Sequence, residues 1–276
     1  MALPRHYVRV RDLDLAVADE GQGEPVLLLH GFPDRAEMWR HVAERLRAAG
    51  RRTIVPDLVG FGESSAPPGL GAYRIGQVVT DLEQLLGSLG VDGPVDVVGH
   101  DWGAGVSWAM ATTRPERVRR HVALSVGHLT AFMRAGLDQK RRSTYMLVWQ
   151  VPVLSERLLA QDNFRRFRDI PGGYPDIEQA VADLSRPGRL TAGLKWYRAN
   201  VLPSLFRRLP RCTVPTLGML GSEDPALGEE QMVASGRYMD APWRYERLEG
   251  SGHWLSLDAP DRVSELALEW FEQTPG

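Results

Sequence analysis

Gly99-His100-Asp101-Trp102-Gly103 joins an apolar run, Val95–Gly99, to a segment that continues Ala-Gly-Val-Ser-Trp and reads as a helix. The pentapeptide has the form Gly-x-nucleophile-x-Gly, in which a tight strand-to-helix turn thrusts a reactive side chain outward. Glycines flank the central residue because side chains would collide in so sharp a turn. A helix N-terminus behind the turn favours negative charge, so a carboxylate at position 101 is kept ionised. The plainer alternative is an aspartate that merely caps a helix.

The surrounding sequence decides between them. His30-Gly31-Phe32-Pro33 follows another apolar run, Val26–His30. A loop there supplies one backbone N–H, from Phe32, facing the nucleophile, and Trp102 supplies the other, which makes an oxyanion hole. Read alone, the tetrapeptide is also an ordinary Gly-Pro turn. Gly221-Ser222-Glu223-Asp224-Pro225 comes after a strand ending at Leu220, and Gly250-Ser251-Gly252-His253-Trp254 after one ending near Leu248. Both fall at carboxyl ends of strands, where open α/β sheets carry their sites. Each could be a surface loop, but Asp101, Asp224 and His253 occur in the order nucleophile, acid, base.

The rest of the chain fits that frame. Tyr7–Arg11 and Asp14–Ala18 read as an antiparallel pair, and Thr53–Pro56 and His121–Val126 as further buried strands. Helices are expected near Arg35–Ala49 and Arg74–Leu89. Strands alternating with helices imply a mostly parallel α/β sheet flanked by helices. From Leu129 to Arg208 the alternation stops and the chain reads as helical, with loops at 171–175 and 186–188. Strand character returns at Pro215–Leu220 and Trp243–Leu248, and Asp261–Phe271 closes as a helix. The expected organisation is a core of 1–128 and 209–276 with an inserted helical cap, 129–208. That cap holds 14 Arg and Lys against 7 Asp and Glu, which reads either as attraction of anions or as solvated helix faces.

Composition narrows the function. In 276 residues with a net charge of −2 nothing suggests a nucleic-acid partner, and no apolar stretch is long enough to span a membrane, so neither partner is expected. The N-terminus lacks a signal-peptide pattern, and the single cysteine, Cys212, fits a reducing cytoplasm. The histidines show no ligand spacing, so no metal or organic cofactor is expected. The expected partner is a small, moderately hydrophobic substrate; a homodimer is compatible with the sequence.

With these motifs in hand, the chain resembles the α/β-hydrolase superfamily, in its epoxide hydrolase and haloalkane dehalogenase branch. Pro56-Asp57-Leu58-Val59-Gly60-Phe61-Gly62-Glu63-Ser64 and Gly193-Leu194-Lys195-Trp196-Tyr197-Arg198 strengthen the resemblance. It implies that Tyr197 points at the epoxide oxygen as an acid. It also implies Phe32 as epoxide hydrolases have it, where dehalogenases often carry Asn. Trp102 occurs in both groups. The resemblance further implies a second cap tyrosine ahead of a Gln-x-Pro, and the matching Tyr145-Met146-Leu147-Val148-Trp149-Gln150-Val151-Pro152 puts Val148 in that place. Tyr145 either substitutes from one turn earlier or packs into the cap. His30, Trp102, His128, Val148, Trp149 and Trp254 are the expected pocket residues, with His128 alternatively only ending its strand.

A carboxylate nucleophile suits displacement at saturated carbon, giving an alkyl-enzyme ester, rather than acyl transfer, which would give an anhydride. Epoxide opening to a vicinal diol is therefore the expected reaction. Haloalkane or haloacid dehalogenation is the alternative, and a non-hydrolytic ligand-binding relative is a third reading.

Overall fold

The computed structural model describes residues 3–170, 173–204 and 208–273. Eight strands form one sheet: β1 (His6–Val10), β2 (Leu13–Glu20), β3 (Pro25–Leu29), β4 (Arg52–Pro56), β5 (Val95–His100), β6 (Val118–Leu124), β7 (Thr216–Gly221) and β8 (Trp243–Leu248). Their spatial order is β1-β2-β4-β3-β5-β6-β7-β8. β1 and β2 pair antiparallel, as do β2 and β4, and the remaining neighbours are parallel. The mostly parallel sheet expected from the alternating pattern is thus observed.

The apolar runs of the central strands serve two cores at once. Leu27, Leu29 and Val97 face α2 (Ile75–Ser88) and α3 (Trp102–Thr113), whereas Val26, Leu28 and Val98 face α1 (Arg40–Ala48) and α12 (Pro260–Gln273). A strand covered on both faces needs no polar alternation, which is why its sequence is continuously apolar. α3 is buried all round, from Gly103 to Thr112.

Between β6 and β7 the chain runs through α4 (Leu129–Arg134), α5 (Leu137–Arg142), α6 (Tyr145–Val148), α7 (Leu154–Arg168), α8 (Ile177–Ser185) and α9 (Arg189–Ser204). Positive φ at Asp162, Asn163 and Phe164 interrupts α7. Two short helices follow later strands, α10 (Glu229–Ala234) and α11 (Leu255–Asp258). Of the loop expected at 171–175, residues 171 and 172 lie outside the described residues.

Most boundaries shift by one or two residues from the sequence expectation, and two differ by more. The helix expected from Arg35 begins as a 3-10 turn, Ala36–Trp39, before α1. β6 starts at Val118 rather than His121, because Arg119 and Arg120 extend the strand toward buried Asp96, 3.9 and 3.6 Å away. No helix among the described residues is long and apolar enough to cross a membrane.

Candidate active site

β5 delivers Asp101 to the carboxyl edge of the sheet in a strained turn, φ 51° and ψ −119°. The turn is possible because Gly99 packs against the following helix, where an added Cβ would lie 2.4 Å from the Gly103 carbonyl oxygen. Gly31 is needed for a different reason: a Cβ there would fall 2.3 Å from Asp101 Oδ1. That close approach lets the Phe32 N–H donate to Oδ1 at 2.8 Å. The backbone N–H of Trp102 also favours the charged carboxylate. Burial pushes the Asp101 pKa up, while His253 and these two donors oppose the rise.

Asp101 Oδ2 faces His253, whose Nε2 is 3.9 Å away, beyond hydrogen-bond range. The other ring nitrogen, Nδ1, is 2.8 Å from Asp224 Oδ2. Asp224 Oδ1 accepts the N–H groups of Ala226 and Leu227 at 2.8 and 2.9 Å. Burial alone would raise the Asp224 pKa, yet His253 and these bonds hold it below the ordinary value. Burial likewise disfavours the imidazolium of His253, but Asp224, Asp101 and Asp34 outweigh it and lift the pKa to about 9. His100 Nε2 and Ser125 Oγ clasp the His253 carbonyl at 2.9 and 3.0 Å, so the backbone carrying the imidazole is fixed from below.

Tyr145 and Tyr197 line the same cavities as Asp101, and each hydroxyl influences the ionisation of the other. Trp149 packs against both rings, 4.5 Å from each, and the two tyrosine rings meet edge-on at 6.3 Å. Burial raises both phenol pKa values above their ordinary 10, and Asp101 raises them further. The Trp102 ring stands edge-on to Tyr197 at 5.0 Å. Its buried Nε1–H comes near the Tyr197 hydroxyl but, among the described residues, lacks a partner of hydrogen-bonding geometry. Two cavities meet at Asp101, Tyr145 and Tyr197. One, about 290 Å³, is walled mainly by aliphatic and Met side chains including Leu129, Met133, Met146 and Leu147. The other, about 520 Å³, is walled by Phe32, Trp149, Phe167, His253 and Trp254.

The α/β hydrolase fold family model matches residues 24–260. Mouse epoxide hydrolase 4 is 30% identical over 287 residues, covering 97% of this chain and 79% of that protein. Epoxide hydrolase A of Mycobacterium tuberculosis is 31% identical over 305 residues, covering 93% of each. The crystal structure of a Bacillus megaterium epoxide hydrolase in complex with an inhibitor superposes with a TM-score of 0.87 at 26% identity, covering 97% of this chain and 100% of that one. The chain is an α/β hydrolase of the epoxide hydrolase branch.

In this α/β hydrolase three of the expected pocket residues stand away from the cavities. His30 is wholly buried beneath the loop, where Nε2 accepts the Leu58 N–H at 2.9 Å and Nδ1 lies 2.8 Å from the Gly31 carbonyl. His128 caps α4 and stacks on Tyr238 at 5.0 Å, so it ends the strand segment and does not line the pocket. Val148 is 44% exposed on the outer side of α6. Tyr145, a turn earlier, is the residue that turns inward. Trp149, Trp254 and Trp102 line the cavities as expected.

Sequence reading missed two groups. Asp34 is buried next to Pro33, accepting from the Tyr174 hydroxyl and from Trp254 Nε1 (3.1 Å), and burial lifts its pKa to about 7. Its position four residues after His30 was the available signal. Arg198 binds Glu156 through both Nη atoms at 2.9 and 3.0 Å, Ser155 Oγ at 2.8 Å and the Trp149 carbonyl at 3.1 Å. Nothing local in the sequence pairs residues 42 positions apart.

Proposed function

We propose that this hydrolase opens epoxides to vicinal diols through a transient ester on Asp101, with helices 129–208 serving as the cap. The observation that carries the reading is a carboxylate with Oδ1 held by the Phe32 N–H, Oδ2 turned toward His253, and two tyrosines lining the same cavities. Oδ2 attacks an epoxide carbon, the C–O bond breaks, and Tyr197, assisted by Tyr145, gives a proton to the forming alkoxide. Such general-acid help contributes about 10²–10⁴-fold.

The charges then reorganise in a useful order. With Asp101 ionised, a His253 pKa of about 9 keeps the imidazole protonated at neutral pH. Ester formation removes the Asp101 charge and with it part of that support, so the pKa of His253 falls. The proton it sheds balances the one given up by Tyr197. Neutral His253 next takes a proton from water, whose oxygen attacks the Asp101 carbonyl carbon. Negative charge develops on Oδ1, where the Phe32 N–H already points; such a donor is typically worth ~3–4 kcal/mol. Asp224 holds the tautomer and stabilises the imidazolium that forms. Collapse expels the diol oxygen, which takes the proton held by His253, and the Asp101 carboxylic acid left behind passes its proton to His253, restoring the carboxylate and the imidazolium.

The apolar walls of both cavities favour a moderately hydrophobic substrate. The test is incubation with styrene oxide and with n-butyl bromide while diol and bromide are assayed. Diol formation is expected. Bromide release without diol would shift the assignment to dehalogenation, a chemistry that the unpartnered Trp102 Nε1–H could also serve.

A further inference from the structure

Five of the large apolar side chains left exposed lie within eight positions at the α6–α7 junction: Leu147 (61%), Val148 (44%), Val151 (47%), Val153 (59%) and Leu154 (49%). Apolar side chains scattered singly over a surface mean nothing, but a cluster of this kind marks a surface that something covers. Its charge environment is one-sided. From 137 to 160 the acids are Asp138 and Glu156, and each is already paired, with Arg142 and Arg198 respectively. Lys140, Arg141 and Arg157 are exposed and have no ion pair among the described residues. Within residues 137–160 the unpaired charge is therefore positive only.

The patch also touches the interior. Leu147, the most exposed of the five, lines the aliphatic cavity that ends at Asp101, together with Lys140, Ser143 and Thr144. The patch and the cavity thus share Leu147.

We propose that this edge of the inserted helices docks on an anionic lipid surface, with the apolar residues in the headgroup boundary and the cations against lipid phosphates. Apolar side chains rimmed by Lys and Arg are the pattern of interfacial binding. A second copy of the chain fits less well, because a two-fold contact would bring the same unpaired cations together. The sequence expectation of no membrane partner concerns spanning segments, and a peripheral contact is a different mode. The surface stands whatever reaction the cavity runs.

Co-sedimentation of the full chain with vesicles tests it, comparing phosphatidylcholine alone with an equal mixture of phosphatidylcholine and phosphatidylglycerol. Retention on the mixed vesicles, weakened by added salt, is expected. Arg141→Gln with Arg157→Gln should reduce partitioning by about fivefold per charge, roughly 25-fold together. Val148→Asp with Val151→Asp should abolish it, with styrene oxide turnover in solution unchanged in both variants. No retention at low salt would overturn the proposal, as would equal retention on both vesicle types. A concentration-dependent dimer lost in the valine variant, without vesicle binding, would assign the face to a second copy instead.

Discussion

Asp101 works because its neighbours leave it one free oxygen. Oδ1 is taken by the Phe32 N–H, and Oδ2 is turned to His253. Gly31→Ala tests this arrangement without touching a reacting group. A Cβ 2.3 Å from Oδ1 must displace the carboxylate or the loop, and a misplacement of about 1 Å can cost about 10²-fold in rate. Single-turnover ester formation should fall by about that factor. The two tyrosines share the protonation of the alkoxide. Tyr145→Phe and Tyr197→Phe should each slow alkylation, and the double variant should lose about 10²–10⁴-fold. Rapid-quench measurement of the ester separates this loss from any change in its hydrolysis. The three residues of the nucleophile, acid and base order were legible because each sits at or just beyond the carboxyl end of a strand. Tyr145 was harder to read. The family pattern points at Val148, and only packing decides which side of a one-turn helix faces inward.

The sheet positions the lower half of the site and the inserted helices the upper half. α6 carries Tyr145 and α9 carries Tyr197, so the spacing of the two hydroxyls depends on how these helices are tied. Arg198 makes the tie, bridging from α9 to Glu156, Ser155 and the Trp149 carbonyl, and Gln150 adds a bond to the Tyr197 carbonyl at 3.3 Å. Arg198 side-chain exposure is 9% and that of Glu156 is 19%. Burial opposes ionisation of Glu156, but Arg198 draws its pKa down to about 2. Breaking a buried pair costs about 3–5 kcal/mol, and partial exposure of Glu156 argues for the lower end. Arg198→Gln should therefore lower stability by roughly 3 kcal/mol in urea denaturation. It should also slow ester formation more than ester hydrolysis, since the tie holds the acids and not His253. Strands were readable from the sequence wherever both faces are covered, because burial removes polar alternation. The tie was not readable, since its partners meet only through the fold.

Over the whole protein the site is a set of coupled charges, and pH reads them together. The Asp101 pKa lies above the ordinary carboxylate value because burial outweighs its donors, so ester formation should decline on acidification before the usual aspartate range is reached. The alkaline limb of kcat/KM should fall near 9, where His253 loses the proton that rebalances Tyr197. No tyrosine limb should appear at 10, since both phenols are held higher. A profile flat through 9 would remove His253 from this role. The basic excess of the inserted helices, visible in the sequence as a bare count, resolves in the fold into paired residues and an unpaired set beside an apolar edge. The covalent step itself is open to direct observation by mass spectrometry of the peptide holding Asp101 after turnover of styrene oxide in heavy-oxygen water. Many cycles should leave the label in that aspartate, while a single turnover with excess enzyme should give unlabelled diol. An unlabelled Asp101 after many cycles, with the heavy oxygen going straight into diol on the first, would contradict an ester intermediate.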